Sequence, residues 1–146
     1  MITFAIDPGT TESGWCLFDG ARVVECGTEA NAQMLERVAN SAADELAVEM
    51  VASYGMPVGR EVFEAVVWIG RFVQAWRAPD EVRLIYRRDV KLELCGSARA
   101  KDPNVRQALI DRLGPVGKKA APGPLYGVKG DAWSAVAVAV TARAKT

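Results

Sequence analysis

Alternating apolar and polar positions at the start of the chain predict three short strands. Ile2, Phe4 and Ile6 are separated by small or polar residues, which is the period-two pattern of a strand with one buried face. Turn-forming pairs that contain glycine follow the first two extended runs. The predicted strands span residues 2–7, 14–18 and 21–28. The chain is therefore expected to open as an antiparallel meander, with Asp7 at the carboxyl end of its first strand.

Beyond the meander, helical and strand-like patterns alternate. An amphipathic helix is predicted at 31–43, and the apolar run 46–52 that follows it is typical of a central parallel strand. Further elements are predicted as helices at 59–77, 102–113 and 131–144 and as a strand at 82–86. Asp102 and Pro103 are expected to be the N-cap and first residue of their helix. The stretch 114–130, rich in glycine, proline and lysine, is predicted to be a mobile loop.

The long helix predicted at 59–77 has apolar residues on more than one face. One face is expected to pack on the sheet. The second apolar face has two interpretations, since it either contacts another subunit or is covered by the final helix of the same chain.

Length and composition agree with one globular domain spanning residues 1–146. The chain has 146 residues, of which 50% are hydrophobic, and a chain of this size can bury a substantial core. No apolar run is long enough to cross a membrane and no charged leader precedes an apolar stretch, so we expect a cytoplasmic protein without a membrane partner. Cys16, Cys26 and Cys95 lack metal-type spacing and are expected to be reduced thiols.

The chain contains no histidine. This excludes the commonest general base, the Ser-His-Asp and Cys-His arrangements, and most zinc sites. Hydrolytic chemistry would therefore rest on carboxylates, whose oxygen ligands favour Mg²⁺ or Mn²⁺.

Charge is unevenly distributed along the chain although the net charge is zero. The first 66 residues carry eleven acidic residues and three arginines, a net charge of −8, and the remainder carries +8. A basic second part suggests a polyanion as partner, although a solvated basic face would give the same pattern.

Three carboxylates stand where a solvated acid is not expected. Asp7 ends the first strand, Glu49 interrupts the apolar fourth strand, and Asp131 opens the final helix. Because a crossover helix allows the fourth strand to run parallel to the first, the three side chains can converge at one edge of the sheet. Each also has a purely structural interpretation: Asp7 as a turn residue, Glu49 in an ion pair with an arginine, and Asp131 as a residue favoured at a helix N-terminus.

Convergence of three carboxylates predicts a metal site, because their mutual repulsion needs divalent cations to neutralise it. Such a set is typical of a two-metal phosphodiesterase. Two Mg²⁺ ions roughly 4 Å apart hold the scissile phosphate in such a site, one activating water and the other stabilising the leaving 3′ oxygen. Mn²⁺ is expected to substitute for Mg²⁺. Lys91 is a candidate for holding the phosphate or stabilising the charge of the transition state.

Three motifs, taken in order, resemble the RuvC-type Holliday junction resolvases, especially their short bacteriophage relatives. They are IDPGTTESGW at 6–15, AVE at 47–49 and DAWSAVAVA at 131–139. The resemblance covers nearly the whole chain and implies an α/β, ribonuclease H-like fold. Its five-stranded mixed sheet would have three antiparallel strands, then parallel strands, with flanking helices. By position, Asp7, Glu49 and Asp131 match the metal-binding acids of this family.

The resemblance extends to the substrate and the assembly. It implies a homodimer that cleaves four-way DNA junctions with paired symmetric nicks, and it places Lys91 and Lys101 near the cleavage site. Ser134 departs from the family, because the bacterial enzymes have a second acid there on the last helix, and it is expected to bind metal weakly or through water. The residues predicted to bind DNA are Arg87, Arg88, Lys91, Arg99, Lys101, Arg106, Lys118 and Lys119.

Other functions are compatible with the same residues. Ser134 in place of an acid is also compatible with a junction-binding or scaffold protein whose active site has decayed. A less selective nuclease for branched DNA would have the same fold. An actin-like ATPase is suggested by the DPGTT loop at 7–11, but the chain is too short for the paired domains that such a nucleotide site needs.

Overall fold

A mixed five-stranded sheet lies at the centre of the computed structural model, which describes residues 1–145. The strands are β1 (Thr3–Asp7), β2 (Glu12–Phe18), β3 (Val23–Ala30), β4 (Glu45–Met50) and β5 (Arg83–Tyr86), with a small hairpin of β6 (Gly117–Lys118) and β7 (Ala121–Pro122). The helices are α1 (Asn31–Ala39), α2 (Arg60–Ala75), α3 (Arg87–Cys95), α4 (Asp102–Leu113) and α5 (Ala132–Ala144), and a short 3₁₀ turn spans Pro79–Glu81.

The order of strands in the central sheet is β3-β2-β1-β4-β5. β1, β2 and β3 pair antiparallel as a meander, whereas β4 and β5 join β1 in parallel. The predicted sheet of three antiparallel strands followed by parallel strands is therefore confirmed. The parallel pairing of β1 with β4 brings the carboxyl ends of these two strands to the same edge of the sheet.

Alternate side chains of the sheet supply two separate cores. Phe4 and Ile6 point into one core with Val48, and this core is covered by α1 and α2. Ala5 and Ala47 belong to the other core, which is covered by α5. Because side chains alternate along a strand, residues two positions beyond Ala5 and Ala47 lie on the α5 face of the sheet.

Helix α5 packs closely on the sheet because its sequence is almost entirely alanine and valine. Nine of its thirteen residues are buried. Its far end is fixed to the start of β1, where Arg143 Nη1 donates to Met1 O at 3.0 Å and to Thr3 Oγ1 at 3.1 Å. The N-terminal end of α5 consequently lies beside the carboxyl end of β1.

Helix α3 was not anticipated by the sequence patterns, because basic residues dominate this stretch. Only Val90 and Leu94, spaced by one helical turn, are buried. The N-cap of α4 is Lys101, one residue before the expected Asp102, so Pro103 is the second residue of the helix. Helix α1 ends four residues earlier than predicted.

The segment 114–130, predicted to be a mobile loop, contains the short β6-β7 hairpin and is attached to the core. Leu125 is completely buried, and Val23 N donates to Pro124 O at 2.8 Å. These contacts place the segment that follows the β6-β7 hairpin beside the start of β3.

Helix α2 presents an uncovered apolar face. Phe63 and Val67 are each 62% exposed, and Val66 lies beside them. The alternative in which the final helix covers this face is wrong, because α5 packs on the opposite side of the sheet. Within residues 1–145, no helix is long and apolar enough to cross a membrane. The three cysteines are free thiols, as expected.

Candidate active site

Asp7 and Glu49 lie side by side on neighbouring parallel strands. Ile6 of β1 is paired with Val48 of β4, so the next residue of each strand is one of the two acids. Asp7 lies two residues after Ala5, and Glu49 lies two residues after Ala47. Both side chains therefore point to the face of the sheet that α5 covers. Glu49 is only 8% exposed, so its charge is removed from most of the solvent.

Asp131 reaches the same place from the N-terminus of α5, where it is the N-cap residue. Gly14 makes this approach possible, since it is paired with Asp7 across β1 and β2. A Cβ atom added at Gly14 would lie 2.4 Å from Asp131 O and 2.7 Å from Asp131 Cβ. No side chain fits there, and the close contact holds the start of α5 against the strand beside Asp7.

The three acids interact electrostatically. The pKa of Asp7 is raised to about 8 by several causes together, of which burial is the largest, followed by charge repulsion from Glu49 and a hydrogen bond between the two side chains. The charge of Asp131 raises the pKa of Asp7 further, whereas Arg87 lowers it. In the absence of a bound cation, Asp7 is therefore protonated at neutral pH and hydrogen-bonded to Glu49.

Arg87 lies directly against this acidic pair. It is the first residue of α3, and its Nη1 atom is 3.7 Å from Glu49 Oε1. Its Nη2 atom donates to Asp102 Oδ1 on α4. The ion pair with an arginine, which was the structural alternative for Glu49, is thus present, and it occurs together with the acidic pair rather than instead of it.

A network of buried polar groups fixes the loop that follows Asp7. Ser13 Oγ donates to Asn31 Oδ1 at 2.6 Å and accepts a hydrogen bond from Gly9 N. Asn31 Nδ2 donates to Gly9 O at 2.9 Å. The first residue of α1 therefore anchors the turn between β1 and β2, which orients the end of β1.

Ser134 lines a small cavity beside Arg87, the arginine that contacts Glu49. This cavity has a volume of about 30 Å³ and is also bounded by Arg87, Asp102 and Arg106. It can hold about one water molecule. Arg106 lies over the ring of Trp133, with its guanidinium carbon 5.0 Å from the ring centroid.

The other predicted DNA-binding residues are distributed over α3, α4 and the small hairpin. Lys91 follows Arg87 by one helical turn on α3, and Lys101 caps α4 beside Asp102. Arg88 lies over Tyr54, with its guanidinium carbon 5.9 Å from the ring centroid. Arg99, Lys118 and Lys119 are exposed on the connection before α4 and on the hairpin.

Carboxylate oxygens are donors that a divalent cation such as Mg²⁺ prefers. A cation can displace the proton of Asp7, and Asp131 is close enough to add its charge. Among the described residues, no group of three or more Asp, Glu, Cys or His side chains is arranged to hold a metal ion. Of the three acids, Asp7 and Glu49 are the two that the structure brings into hydrogen-bond contact.

A larger cleft lies elsewhere on the molecule. Its volume is about 610 Å³, and its lining includes Ile2, Phe4 and Leu17 together with residues of α1. It lies near the opposite end of β1 and contains none of the three converging acids. We place the candidate active site at the acids, because convergent carboxylates whose pKa values are perturbed are more typical of a catalytic site than a cleft without them.

Comparison with known structures identifies the fold. A structure of RuvC from Thermus thermophilus superposes with a TM-score of 0.71 and 22% identity, covering 100% of this chain and 98% of that one. The T. thermophilus RuvC in complex with a Holliday junction substrate has a TM-score of 0.70 and 20% identity, covering 97% and 92% of the two chains. No protein-family model and no curated protein matches the chain.

The chain therefore has the ribonuclease H-like fold in the form seen in RuvC. This confirms the fold that the sequence motifs implied, over the full length of the described chain.

Three contributors to the site were not recognised in the sequence. Gly14 could have been identified from its position opposite Asp7 in the predicted meander. Arg87 was expected to contact DNA, and Asp102 was expected only to cap a helix. Their mutual contact spans fifteen positions of the chain, and no local pattern predicts it.

Proposed function

We propose that this protein is a metal-dependent endonuclease that cleaves four-way DNA junctions. The observation that carries the proposal is the convergence of Asp7, Glu49 and Asp131 at one edge of the sheet. The RuvC fold supports it, because a RuvC structure with the same arrangement of elements holds a Holliday junction.

The acids and the neighbouring bases have distinct roles in this reaction. Asp7 and Glu49 bind Mg²⁺ or Mn²⁺, and Asp131 adds negative charge beside them. When bound, the metal supplies Lewis-acid stabilisation of the phosphate and lowers the pKa of the attacking water. Lys91 on α3 and Lys101, the N-cap of α4, bind the DNA backbone near the cleaved bond, since α3 brings Arg87 to Glu49 and α4 begins with Asp102, which contacts Arg87.

DNA binding is proposed to extend from the site over the basic surface. Arg88 and Arg99 on and after α3, Arg106 on α4, and Lys118 and Lys119 on the hairpin would contact phosphates. Such contacts respond to the shape of the branched DNA rather than to its bases, and their affinity falls as salt concentration rises.

The exposed apolar face of α2 is proposed to form a homodimer. A two-fold dimer places two active sites against opposed strands of the junction, which yields paired nicks. Phe63→Asp combined with Val67→Asp should weaken dimerisation by about 100-fold or more, because charges would be buried at the interface. Light scattering coupled to size-exclusion chromatography measures this effect.

The same experiment needs a control for charge alone. Val24→Asp is suitable, because Val24 is an exposed valine on β3. It is expected to remain dimeric. A double variant of α2 that stays dimeric at low micromolar concentration would exclude this face as the interface.

The proposed activity is tested by cleavage of an end-labelled synthetic four-way junction on a denaturing gel. Reactions contain Mg²⁺ or Mn²⁺, with linear duplex as the competing substrate and Asp131→Asn as the inactive variant. Symmetric nicks in the junction alone, lost in the variant, are expected. Equal cleavage of linear duplex would indicate instead a less selective nuclease of the same fold.

A second function, junction binding without cleavage, is favoured by one observation. Arg87 already forms an ion pair with Glu49, and a scaffold protein could keep that pair permanently. Tight junction binding with no cleavage at any Mg²⁺ or Mn²⁺ concentration would support this function over the nuclease.

A further inference from the structure

The position of Arg87 changes the charge balance of the site. When ionised, Asp7, Glu49 and Asp131 carry three negative charges, which is one fewer than two divalent cations need for neutrality. Ser134, one turn after Asp131, adds none. Arg87 contributes a positive charge 3.7 Å from Glu49. The remaining charge of −2 matches a single divalent cation.

Asp102 does not alter this balance appreciably. It forms an ion pair with the other guanidinium nitrogen of Arg87, but its side chain is 76% exposed, and an ion pair of such an exposed carboxylate contributes little. Its carboxylate instead accepts a hydrogen bond from Arg87 Nη2 and so leaves Nη1 directed at Glu49. A guanidinium is suited to this bridging position because it is planar, has several donors and stays charged.

We propose that Arg87 takes the place of a second metal ion, so that each chain binds one divalent cation at Asp7 and Glu49, beside the charge of Asp131. Arg87 supplies its charge on the side of the site bounded by Ser134 and Asp102, where all three residues line the same small cavity. This inference rests on the proposed function and replaces the two ions expected from the sequence with one.

The test is a titration of the metal-free protein with Mn²⁺ alone, in which electron paramagnetic resonance counts the free ion. Wild-type protein should bind one Mn²⁺ per chain. Arg87→Gln should bind Mn²⁺ about tenfold more tightly, because a positive charge beside the ion and a competitor for Glu49 are removed together. Arg88→Gln is the matched control on the adjacent position of α3 and should leave the affinity unchanged.

Stoichiometry gives an independent measurement. Ser134→Asp alone should still bind one Mn²⁺, whereas Arg87→Gln combined with Ser134→Asp should bind two. Two ions per wild-type chain, or two with Ser134→Asp alone, would overturn the proposal. Arg87→Lys keeps the charge but not the bridge to Asp102, and it should bind Mn²⁺ less tightly than Arg87→Gln. Equal affinity of these two variants would also count against the proposal.

The cleavage rate distinguishes an Arg87 that takes the place of a metal ion from an Arg87 that only blocks the site. Arg87→Gln should cleave junctions about tenfold or more slowly at saturating Mn²⁺, although it binds the ion more tightly. Faster cleavage would mean that Arg87 only blocks the site, contrary to the proposal. The titration contains no DNA, so a protein that binds one Mn²⁺ but cuts no junction would refute the proposed function and leave the metal count intact.

Discussion

Replacing Asp7 with asparagine is expected to reduce junction cleavage on the order of 10³-fold while leaving junction binding nearly unchanged. The reason is that Asp7 is one of the two side chains best placed to bind the metal, and loss of several kcal/mol of transition-state stabilisation has an effect of this size. Single-turnover cleavage and a gel-shift assay on the same junction measure the two quantities separately.

Asp80→Asn is the matched control for this substitution. Asp80 is exposed in the 3₁₀ turn before β5, on a different element from the acids. It should cleave at the wild-type rate. An Asp7→Asn protein that retains full activity would remove Asp7 from the reaction.

The same variant should be more stable than wild type when the metal is removed. Burial and Glu49 raise the pKa of Asp7 to about 8, whereas an unfolded aspartate has a pKa of about 3.9. The unfolded chain therefore releases this proton first, and the wild type loses stability progressively as pH rises from about 4 through about 8. Asparagine keeps a hydrogen bond to Glu49 and does not titrate.

Thermal unfolding in EDTA between pH 4 and 9 measures this difference. The two proteins should be similar near pH 4, and the variant should exceed the wild type by about 2 kcal/mol at pH 9, allowing for partial exposure of the site. Addition of Mn²⁺ should stabilise the wild type more than the variant. Parallel pH profiles in EDTA would contradict the raised pKa.

Replacing Gly14 with alanine is expected to disable the site without touching any acid. The new Cβ would overlap the backbone and Cβ of Asp131, so the start of α5 must move away from β1. Overpacking of this kind costs about 1–3 kcal/mol of stability. A displacement of about 1 Å at a catalytic group lowers the rate about 100-fold. Chemical denaturation and single-turnover cleavage measure the two effects.

Gly59→Ala serves as the control for this glycine. A Cβ at Gly59 meets no atom within 4 Å, and Gly59 has a negative φ angle that alanine adopts readily. It should lose at most about 1 kcal/mol, through the weaker N-cap of α2, and should keep its activity. If Gly14→Ala matched this control in both stability and cleavage rate, the close packing of Asp131 on β2 would not be required for the activity.

The pairing of Asp7 with Glu49 could be predicted from the sequence because it depends on topology. An apolar strand reached through a crossover helix is expected to run parallel to the first strand. One acid near the carboxyl end of each strand then brings the two acids to the same edge of the sheet. Asp131 was predictable for a related reason, since an alanine-rich helix can lie close to a sheet. These inferences need only the periodicity of the chain and the length of its elements.

The contacts of Arg87 could not be predicted in the same way. Nothing in the stretch of basic residues distinguishes Arg87 from Arg88, yet the first lies against Glu49 and the second against Tyr54. The difference arises from the start of α3 immediately after β5, which sets the direction of each side chain. Two buried apolar residues were too few for this helix to be recognised from its pattern.

The hydrogen bonds from Arg143 to Met1 and Thr3 have a practical consequence. Residue 143 lies twelve residues along α5 from Asp131, a length of about 18 Å. Because α5 and β1 bring their acids together at one end, these hydrogen bonds lie at the opposite end of both elements. A fluorophore or a surface tether attached there would leave the acidic edge accessible. Immobilised protein could then be presented to branched DNA with its reactive side outward.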